Sequence, residues 1–172
     1  IYGPTTIGPY SKVGGEVNNS VIFGYSNKAH EGFMGNSVIG EWCNLGAGTN
    51  TSNLKNNYAE VRLWNYETEV FNKTGLQFCG LMFGDHSKCG INTMFNTGTV
   101  VGVSANIFGS GFPRNFIPSF SWGGRDGLTP YLTEKAFEVA GVVMQRRGFE
   151  FTQTEAAILK RIFELSQNYR PA

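Results

Sequence analysis

The chain has 172 residues and a formal net charge of +1, and 41% of its residues are apolar. This apolar content is enough to form a core, which excludes an intrinsically disordered chain. The absence of a basic cluster predicts no nucleic-acid partner, and the absence of an apolar run of about 20 residues predicts no membrane span.

The cysteines and the first residue suggest the cellular setting. Cys43, Cys79 and Cys89 include no Cys-x-x-Cys pair. An odd number of cysteines without a secretory signal favours reduced thiols and a cytoplasmic protein. No cysteines and histidines have the close spacing of a zinc site, so we expect no metal in this segment. Because the sequence begins at Ile1 and not at Met, we expect a fragment of a longer protein, the alternative being removal of the initiator Met by processing.

Residues 1–127 carry a six-residue period. All but two of the 23 glycines lie here, and apolar residues recur every sixth position in two unbroken series: Phe33, Ile39, Leu45, and Phe83, Cys89, Phe95, Val101, Ile107. Small or slim side chains follow four positions after such residues: Ser11, Val17, Ser37, Cys43, Thr49, Ser87, Thr93, Thr99 and Ala105. This period is typical of a hexapeptide-repeat β-helix, in which Gly and Asn allow tight turns. The pattern predicts a mainly β fold and assigns Cys43 and Cys89 to its core.

Two stretches interrupt the period. The first, at about 52–82, contains an aromatic and β-branched run from Tyr58 to Lys73, which predicts an inserted β-hairpin turning near Asn65–Tyr66. The second, at about 109–127, is rich in Gly, Pro and aromatic residues and predicts an ordered terminal loop that leaves the last coil. This loop either covers the end of the β-helix or lines a site.

Residues 128–172 predict a helical tail of two helices. The first is expected to begin with Thr133 as its cap and to run to Arg147, with Gly148 as its stop. The second begins at a capping box, Thr152 to Glu155, and reaches about Gln167. We expect two apolar faces that pack against each other or against a neighbouring subunit: Phe137, Ala140, Gly141, Met144, and Ile158, Ile162, Leu165.

Two runs resemble a known family. Residues Lys28 to Leu54 (KAHEGFMGNSVIGEWCNLGAGTNTSNL) resemble the acetyltransferase domain of bifunctional N-acetylglucosamine-1-phosphate uridyltransferases. Residues Cys79 to Gly102 resemble the following coils of archaeal-type sugar-phosphate nucleotidyltransferases with the same C-terminal domain. The resemblance covers roughly residues 5 to 110. It implies a left-handed parallel β-helix and a homotrimer with active sites between neighbouring subunits. It also implies acetyl-CoA as co-substrate, an amino-sugar 1-phosphate as acceptor, and an N-terminal nucleotidyltransferase domain outside this sequence.

The resemblance also implies roles for particular residues. His30 matches the family's catalytic histidine, and imidazole is a suitable base when an amine attacks a thioester. Asn44 and Asn53 match positions that hydrogen-bond the sugar or the acyl group, and the turn 46–48 (Gly46, Ala47, Gly48) offers backbone N–H groups for the oxyanion or the cofactor. The alternative for each asparagine is a turn-forming role. His86 has no match and is interpreted as a surface turn residue.

Two departures from the family pattern leave two alternatives open: an acceptor other than glucosamine 1-phosphate, or loss of the activity. Phe33 stands where the family has Tyr, so a hydroxyl is missing from the expected substrate site. The coil at 13–24 has no basic residue, which leaves Lys28 and Lys55 as the nearest cations for a sugar phosphate, with two more distant ones: Lys12 and Arg62. The alternative is a non-catalytic β-helix that trimerises or regulates a sugar-phosphate nucleotidyltransferase, or that serves only as an assembly scaffold.

Overall fold

The computed structural model describes residues 1–171, which form a parallel β-solenoid with a hairpin insertion and a helical tail. The strands of the coils are mostly two residues long, one side chain pointing outward and the next inward. In chain order the strands are β1 (Thr6–Ile7), β2 (Lys12–Val13), β3 (Glu16–Asn18), β4 (Val21–Ile22), β5 (Asn27–Lys28), β6 (Phe33–Gly35), β7 (Val38–Ile39), β8 (Asn44–Leu45), β9 (Asn50–Thr51), β10 (Arg62–Asn65), β11 (Val70–Lys73), β12 (Met82–Phe83), β13 (Lys88–Cys89), β14 (Met94–Phe95), β15 (Val100–Val101), β16 (Asn106–Ile107), β17 (Phe116–Ile117), β18 (Ser121–Gly124) and β19 (Gly127–Pro130).

Successive coils stack their strands into three faces. The first face has the order β1-β4-β7-β12-β15-β17, and the second face has β2-β5-β8-β13-β16-β18, with β19 added antiparallel at its end. The third face is shorter, with the order β3-β6-β9-β14. All pairings between coils are parallel and in register. The predicted mainly β, stacked hexapeptide fold is therefore confirmed.

The six-residue period accurately predicts the interior, with one shift of register. The predicted core residues Ile39, Leu45, Phe83, Cys89, Phe95, Val101 and Ile107 are buried in one cluster, as is Cys43. Phe33 is wrong as a core residue because Met34 takes the inward position. The turn from the third face to the first is one residue shorter after β6, so the step from Met34 to Ile39 is five residues. Counting back six from Ile39 therefore reaches an outward residue.

The hairpin insertion is confirmed. Strands β10 and β11 pair antiparallel from Arg62↔Lys73 to Asn65↔Val70, so the turn lies at 66–69, close to the predicted position. The Trp64 ring stacks on Phe116 with a centroid separation of 4.3 Å, which holds the hairpin against the upper part of the first face. The coil period resumes at Met82.

The stretch 109–127 is not a terminal loop, as the sequence pattern predicted, because it contains β17 and β18 and continues the solenoid by one more coil. Ile117 fills the interior, and Phe120 occupies the next corner with a φ of 56°. The interior residues Val101 and Ile117, which stack on the first face, are 16 positions apart, whereas Phe83 and Val101 are 18 apart. This shorter coil breaks the six-residue period and hides the last coil from a search for it.

The tail forms two helices, α1 (Thr133–Gln145) and α2 (Gln153–Leu165), followed by a short 3₁₀ helix, Gln167–Tyr169. The capping box at Thr152 and Glu155 is confirmed, with both reciprocal hydrogen bonds present. Thr133 is wrong as a cap, because it lies inside the first turn and Leu132 is the capping residue. Neither helix within residues 1–171 has the length and apolar character needed to cross a lipid bilayer.

The buried faces of the helices differ partly from the prediction. Ala136, Ala140 and Met144 are buried on α1, as is Leu159 on α2. Leu159 and Ala136 pack in a second apolar cluster around Phe120 of the last coil. The predicted α2 face is wrong at Ile158 and Leu165, which are 55% and 61% exposed. The helix buries a stripe centred one residue further along the chain because it packs on the solenoid and not only on α1.

Candidate functional site

A buried lysine organises the turn that carries His30. Lys28 occupies an inward position of β5, between the levels of Val13 and Leu45, and is only 2% exposed. Its Nζ donates to the carbonyl oxygens of Gly14 (3.2 Å), His30 (2.6 Å) and Glu31 (2.9 Å). Burial lowers the pKa of this ammonium, with the charge of Glu31 opposing the shift. Since all three N–H groups are engaged inside the coil, Lys28 fixes the turn and does not present a cation to a ligand.

His30 lies at the corner between the second and third faces and is exposed. Its imidazole makes no hydrogen bond to any residue from 1 to 171. The backbone below it is close-packed, because a Cβ on Gly15 would lie 3.0 Å from the His30 carbonyl oxygen. The structure therefore holds the backbone of His30 rigidly while leaving its side chain free.

The turn of residues 46–48 lies at the same corner, one coil above His30. The Gly46 N–H donates to the carbonyl of Cys89 (3.1 Å) and is not available to a ligand. The N–H groups of Ala47 and Gly48 have no acceptor among residues 1–171. Gly48 has a φ of 70°, and a Cβ there would clash with Asn92 Oδ1. Two of the three predicted N–H groups are thus free beside His30.

Asn50, which sequence reasoning missed, links these two coils. Its Oδ1 accepts from the Phe33 N–H (2.8 Å), and its Nδ2 donates to the Gly48 carbonyl (2.9 Å). The side chain thereby ties the strand after His30 to the turn above it. The signal for this link in the sequence is an Asn two residues after a turn glycine, Gly48.

Phe33 and Asn53 meet on the third face. A Cβ on Gly35 would lie 2.5 Å from Asn18 Oδ1, 2.6 Å from Asn53 Nδ2 and 2.7 Å from the tip of the Phe33 ring, so the three side chains gather above this glycine. The Asn53 amide donates to Asn36 Oδ1 (2.8 Å). Asn18 Oδ1 is buried without a hydrogen-bond partner, which leaves an unused acceptor in this group.

The remaining predicted residues lie elsewhere. Lys55 donates to the Glu60 carbonyl (2.9 Å), and this bond holds its ammonium at the base of the hairpin insertion. Asn44 is exposed on the second face, in register with Asn27 below and Lys88 above. The structure thus brings His30 together with the 46–48 turn, and Phe33 with Asn53, while Asn44 belongs to a different surface.

That surface is a cavity of about 470 Å³ between the second face and the end of α1. We call it the basic cavity; its polar lining consists of Lys12, Asn27, Asn44, Lys88, Arg146 and Arg147. Sequence reasoning missed it because the arginines are about 60 residues or more from the nearest coil residue in the set. The register of the repeats alone would have placed one part of this lining on a common outward row: Lys12, Asn27, Asn44 and Lys88.

An aromatic ladder stands at the corner between the first and second faces. Tyr10, Tyr25, Trp42 and His86 occupy the same turn position with φ near 60°, and Tyr25 stacks on Trp42 with a centroid separation of 4.2 Å. The prediction of His86 as a turn residue is confirmed, but its ring is half-buried beside Trp42 and not on the surface. Burial, with a smaller effect of Lys88, lowers the pKa of His86 to about 4.

All three cysteines are free thiols, and Cys43 borders the basic cavity. Cys43, Cys79 and Cys89 are buried and unpaired, and burial raises the pKa of the Cys43 thiol to about 12. Within residues 1–171 no group of three His, Cys, Asp or Glu side chains has the arrangement of a metal site.

Comparison with known proteins supports the resemblance seen in the sequence. The chain is 36% identical over 93 residues to a bifunctional sugar-1-phosphate nucleotidylyltransferase/acetyltransferase of Sulfurisphaera tokodaii. It is 34% identical over 92 residues to the bifunctional protein GlmU of Methanococcus aeolicus, and 34% identical over 89 residues to that of Methanocaldococcus jannaschii. No protein-family model matches the chain.

These matches cover part of each protein. They span 51% to 54% of this chain but only 21% to 23% of the relatives' own length. The similarity is therefore to one segment of larger transferases, and together with the stacked coils it confirms the predicted resemblance. Activity, substrates and assembly do not follow from a match of this extent.

Proposed function

We propose that this chain is an acetyltransferase domain that transfers the acetyl group of acetyl-CoA to the amine of an amino-sugar 1-phosphate. The observation that carries the proposal is the corner at His30, where an exposed imidazole on a rigid turn lies beside two free backbone N–H groups of Ala47 and Gly48. The names of the similar proteins, which pair a sugar-1-phosphate nucleotidylyltransferase with an acetyltransferase, support the same reaction class.

The chemistry assigns a role to each group. The amine nitrogen attacks the thioester carbonyl carbon while His30 removes a proton from that nitrogen. The N–H groups of Ala47 and Gly48 donate to the oxyanion of the tetrahedral intermediate. The C–S bond then breaks, the acetyl group stays on nitrogen as an amide, and the CoA sulfur leaves and receives a proton.

The third face is proposed as the place where the sugar lies. The Asn53 amide gives one N–H to Asn36 and can offer its other N–H to a sugar hydroxyl, and the Phe33 ring offers an apolar wall. Gly35 allows these side chains to gather, because a Cβ at this position would collide with Asn18, Asn53 and Phe33. Amide groups of this kind orient a substrate and keep the same hydrogen-bonding character at any pH near neutrality.

A homotrimer is part of the proposal and is supported by the first face. The outward residues of this face form a continuous apolar row: Val21, Val38, Met82, Val100 and Phe116. The equivalent row on the second face is polar or charged up to Asn106. An exposed apolar row of this kind is typical of a protein–protein interface. We propose that neighbouring chains cover its lower part, where Val21 is 37% and Val38 is 36% exposed.

The two histidines provide a matched test. The measurement is acetyl-CoA turnover with glucosamine 1-phosphate for wild type, His30→Asn and His86→Asn. We expect His30→Asn to lower kcat by about 100-fold or more, since general-base catalysis contributes roughly 10²–10⁴. His86→Asn, which keeps a residue suited to its left-handed turn, should retain turnover. Equal rates for wild type and His30→Asn, or no turnover by wild type, would reject the proposal.

Phe33 favours a second candidate function. Its ring has no hydroxyl where the resembling family has tyrosine, and a β-helix without acetyl transfer would act as a trimerising or regulatory domain of a sugar-phosphate nucleotidyltransferase. The two functions differ in acetyl-CoA binding. Failure of the chain to bind acetyl-CoA, with nucleotidyltransferase activity present in the longer protein, would select this alternative.

A further inference from the structure

We infer that the basic cavity is a binding site for a phosphorylated small molecule, with Lys12, Lys88, Arg146 and Arg147 holding its phosphoryl group. The site belongs to neither the His30 corner nor the third face. It lies on the second face, where α1 ends against the coils.

The first argument is an excess of positive charge. Four cationic side chains line one cavity, and no carboxylate within residues 1–171 lines it with them. None of the four forms an ion pair with a described residue, whereas three other cations of the chain do. The only side-chain bond of Arg147 is a 3.5 Å contact to Asn27 Oδ1. Such an uncompensated cluster is unfavourable until an anion fills it.

The second argument is the partial burial of Lys88. Its Nζ uses one proton on the His86 carbonyl (2.9 Å), which leaves two without an acceptor among residues 1–171. Burial lowers the pKa of this ammonium. A dianion in the cavity would compensate the buried charge and accept the two remaining protons.

The third argument is shape and donor chemistry. A volume of about 470 Å³ falls within the roughly 300–1,000 Å³ of small-molecule sites and is much larger than a phosphate ion needs. The amides of Asn27 and Asn44 lie on β5 and β8 between the two lysines. Two guanidinium groups with two ammonium groups and two amides are a donor set for phosphate oxygens and nearby hydroxyls.

A simpler interpretation of the arginines is that they follow the C-terminal end of α1, where cations interact favourably with the helix dipole. That interpretation does not account for Lys12 and Lys88, which come from coils 76 positions apart in the sequence and lie on the same outward row with Asn27 and Asn44 between them. It also does not account for the guanidinium groups, which make no hydrogen bond to the last carbonyls of the helix among the described residues.

The phosphoryl group has two sources under the proposed function, the acceptor sugar phosphate and CoA. For either one, the basic cavity would supply the phosphate contact that Lys28 cannot make, because three backbone carbonyls engage its ammonium group. The inference itself concerns binding and stands without the transfer reaction.

The test is calorimetric titration of the chain with inorganic pyrophosphate, glucosamine 1-phosphate, CoA and, as the phosphate-free control, glucosamine. The variants are Arg146→Ala/Arg147→Ala and Lys12→Ala, and the matched control is Lys160→Ala/Arg161→Ala, which removes the same charge from α2. We expect affinity for the phosphorylated probes to fall about tenfold or more in the double arginine variant and several-fold in Lys12→Ala. The α2 control should stay within about twofold of wild type.

The outcomes separate the sources and the two proposals. Loss confined to glucosamine 1-phosphate identifies the acceptor, loss confined to CoA identifies the co-substrate, and loss for pyrophosphate alone still supports a phosphoryl site. Arginine-dependent binding without acetyl transfer would contradict the proposed reaction and leave this inference in place. Absence of binding by all three phosphorylated probes, or equal losses in the α2 control, would overturn the inference. Circular dichroism verifies the fold, and Lys12, which is exposed, provides a variant with little risk to it.

Discussion

The ammonium nitrogen of Lys28 lies 2.6 Å from the carbonyl oxygen of His30, inside the coil and directly beneath the exposed imidazole. A charged side chain stands here at a position that the repeat otherwise fills with apolar residues. Because the same ammonium also binds the carbonyls of Gly14 and Glu31, it joins two coils and determines the backbone path of the turn. Lys28 is therefore a positioning residue for His30.

Replacing Lys28 by Met should loosen this turn. Met fills the interior, but three carbonyls lose their donor, so we expect the free energy of unfolding to fall by about 1–3 kcal/mol. Amide hydrogen exchange at Gly14 and Glu16, whose N–H groups donate to the carbonyls of Lys28 and Gly32, should speed up, and kcat of the proposed transfer should fall. Lys55→Met is the control, since it removes an ammonium bound to a single carbonyl away from the turn. Unchanged exchange at Gly14 and Glu16 would contradict the assigned role.

Gly46 and Gly90 occupy the same corner in adjacent coils but differ in their surroundings. A Cβ on Gly46 would lie 2.5 Å from backbone atoms of Gly90 and Ile91, whereas the nearest atom to a Cβ on Gly90 is 3.6 Å away. We expect Gly46→Ala to destabilise the chain by about 2 kcal/mol or more, because backbone must move. Gly90→Ala should change stability by no more than about 1 kcal/mol. Urea unfolding measures both, and equal effects would show that the coils can separate freely at this corner.

His86 should make stability depend on pH. Its pKa is about 4 in the fold, from burial and the charge of Lys88 against an opposing effect of Glu155, whereas the ordinary pKa of a solvated histidine side chain is 6.5. The unfolded chain binds the proton more readily between these values, so the stabilisation is complete above pH 6.5 and is lost as pH falls towards 4. The loss amounts to at most about 3 kcal/mol.

The matched variants isolate this contribution. His86→Asn should remove it, so that the difference in unfolding free energy between about pH 7 and about pH 4.5 becomes smaller than in wild type. His30→Asn is the matched control, because it makes the same substitution at the exposed histidine. A His86→Asn variant with the pH dependence of wild type would show that the ring is not shielded from protonation in the folded state.

The repeat period predicts the interior well because each coil must place an apolar side chain at the same inward point. The period fails where one side of a coil is not six residues long, as at Phe33. It also fails where a charged residue takes the inward position, as at Lys28. The presence of Lys12 and Arg146 in one cavity could not be predicted, since no local pattern specifies where a helix docks on a repeat surface. Asn44 illustrates the consequence. The sequence motif around it is distinctive, yet the two arginines that share its cavity come from the helical tail.

The apolar row of the first face leads to a prediction about assembly. Val38 lies between Val21 and Met82 on this row, and the three outward side chains form a strip without charge. If neighbouring chains cover the strip, a carboxylate there would be buried without a partner, at a cost large enough to separate the subunits. We expect Val38→Glu to convert a three-chain particle into a single chain of 18.9 kDa.

Light scattering at matched concentration measures the mass of wild type, Val38→Glu and a control variant. The control is Asn106→Glu, which adds the same charge at the outward position of β16 on the second face, where the row is polar. It should keep the mass of wild type, because a carboxylate on a solvated face stays hydrated. A single-chain mass for wild type, or an unchanged assembly in Val38→Glu, would exclude the first face as the interface.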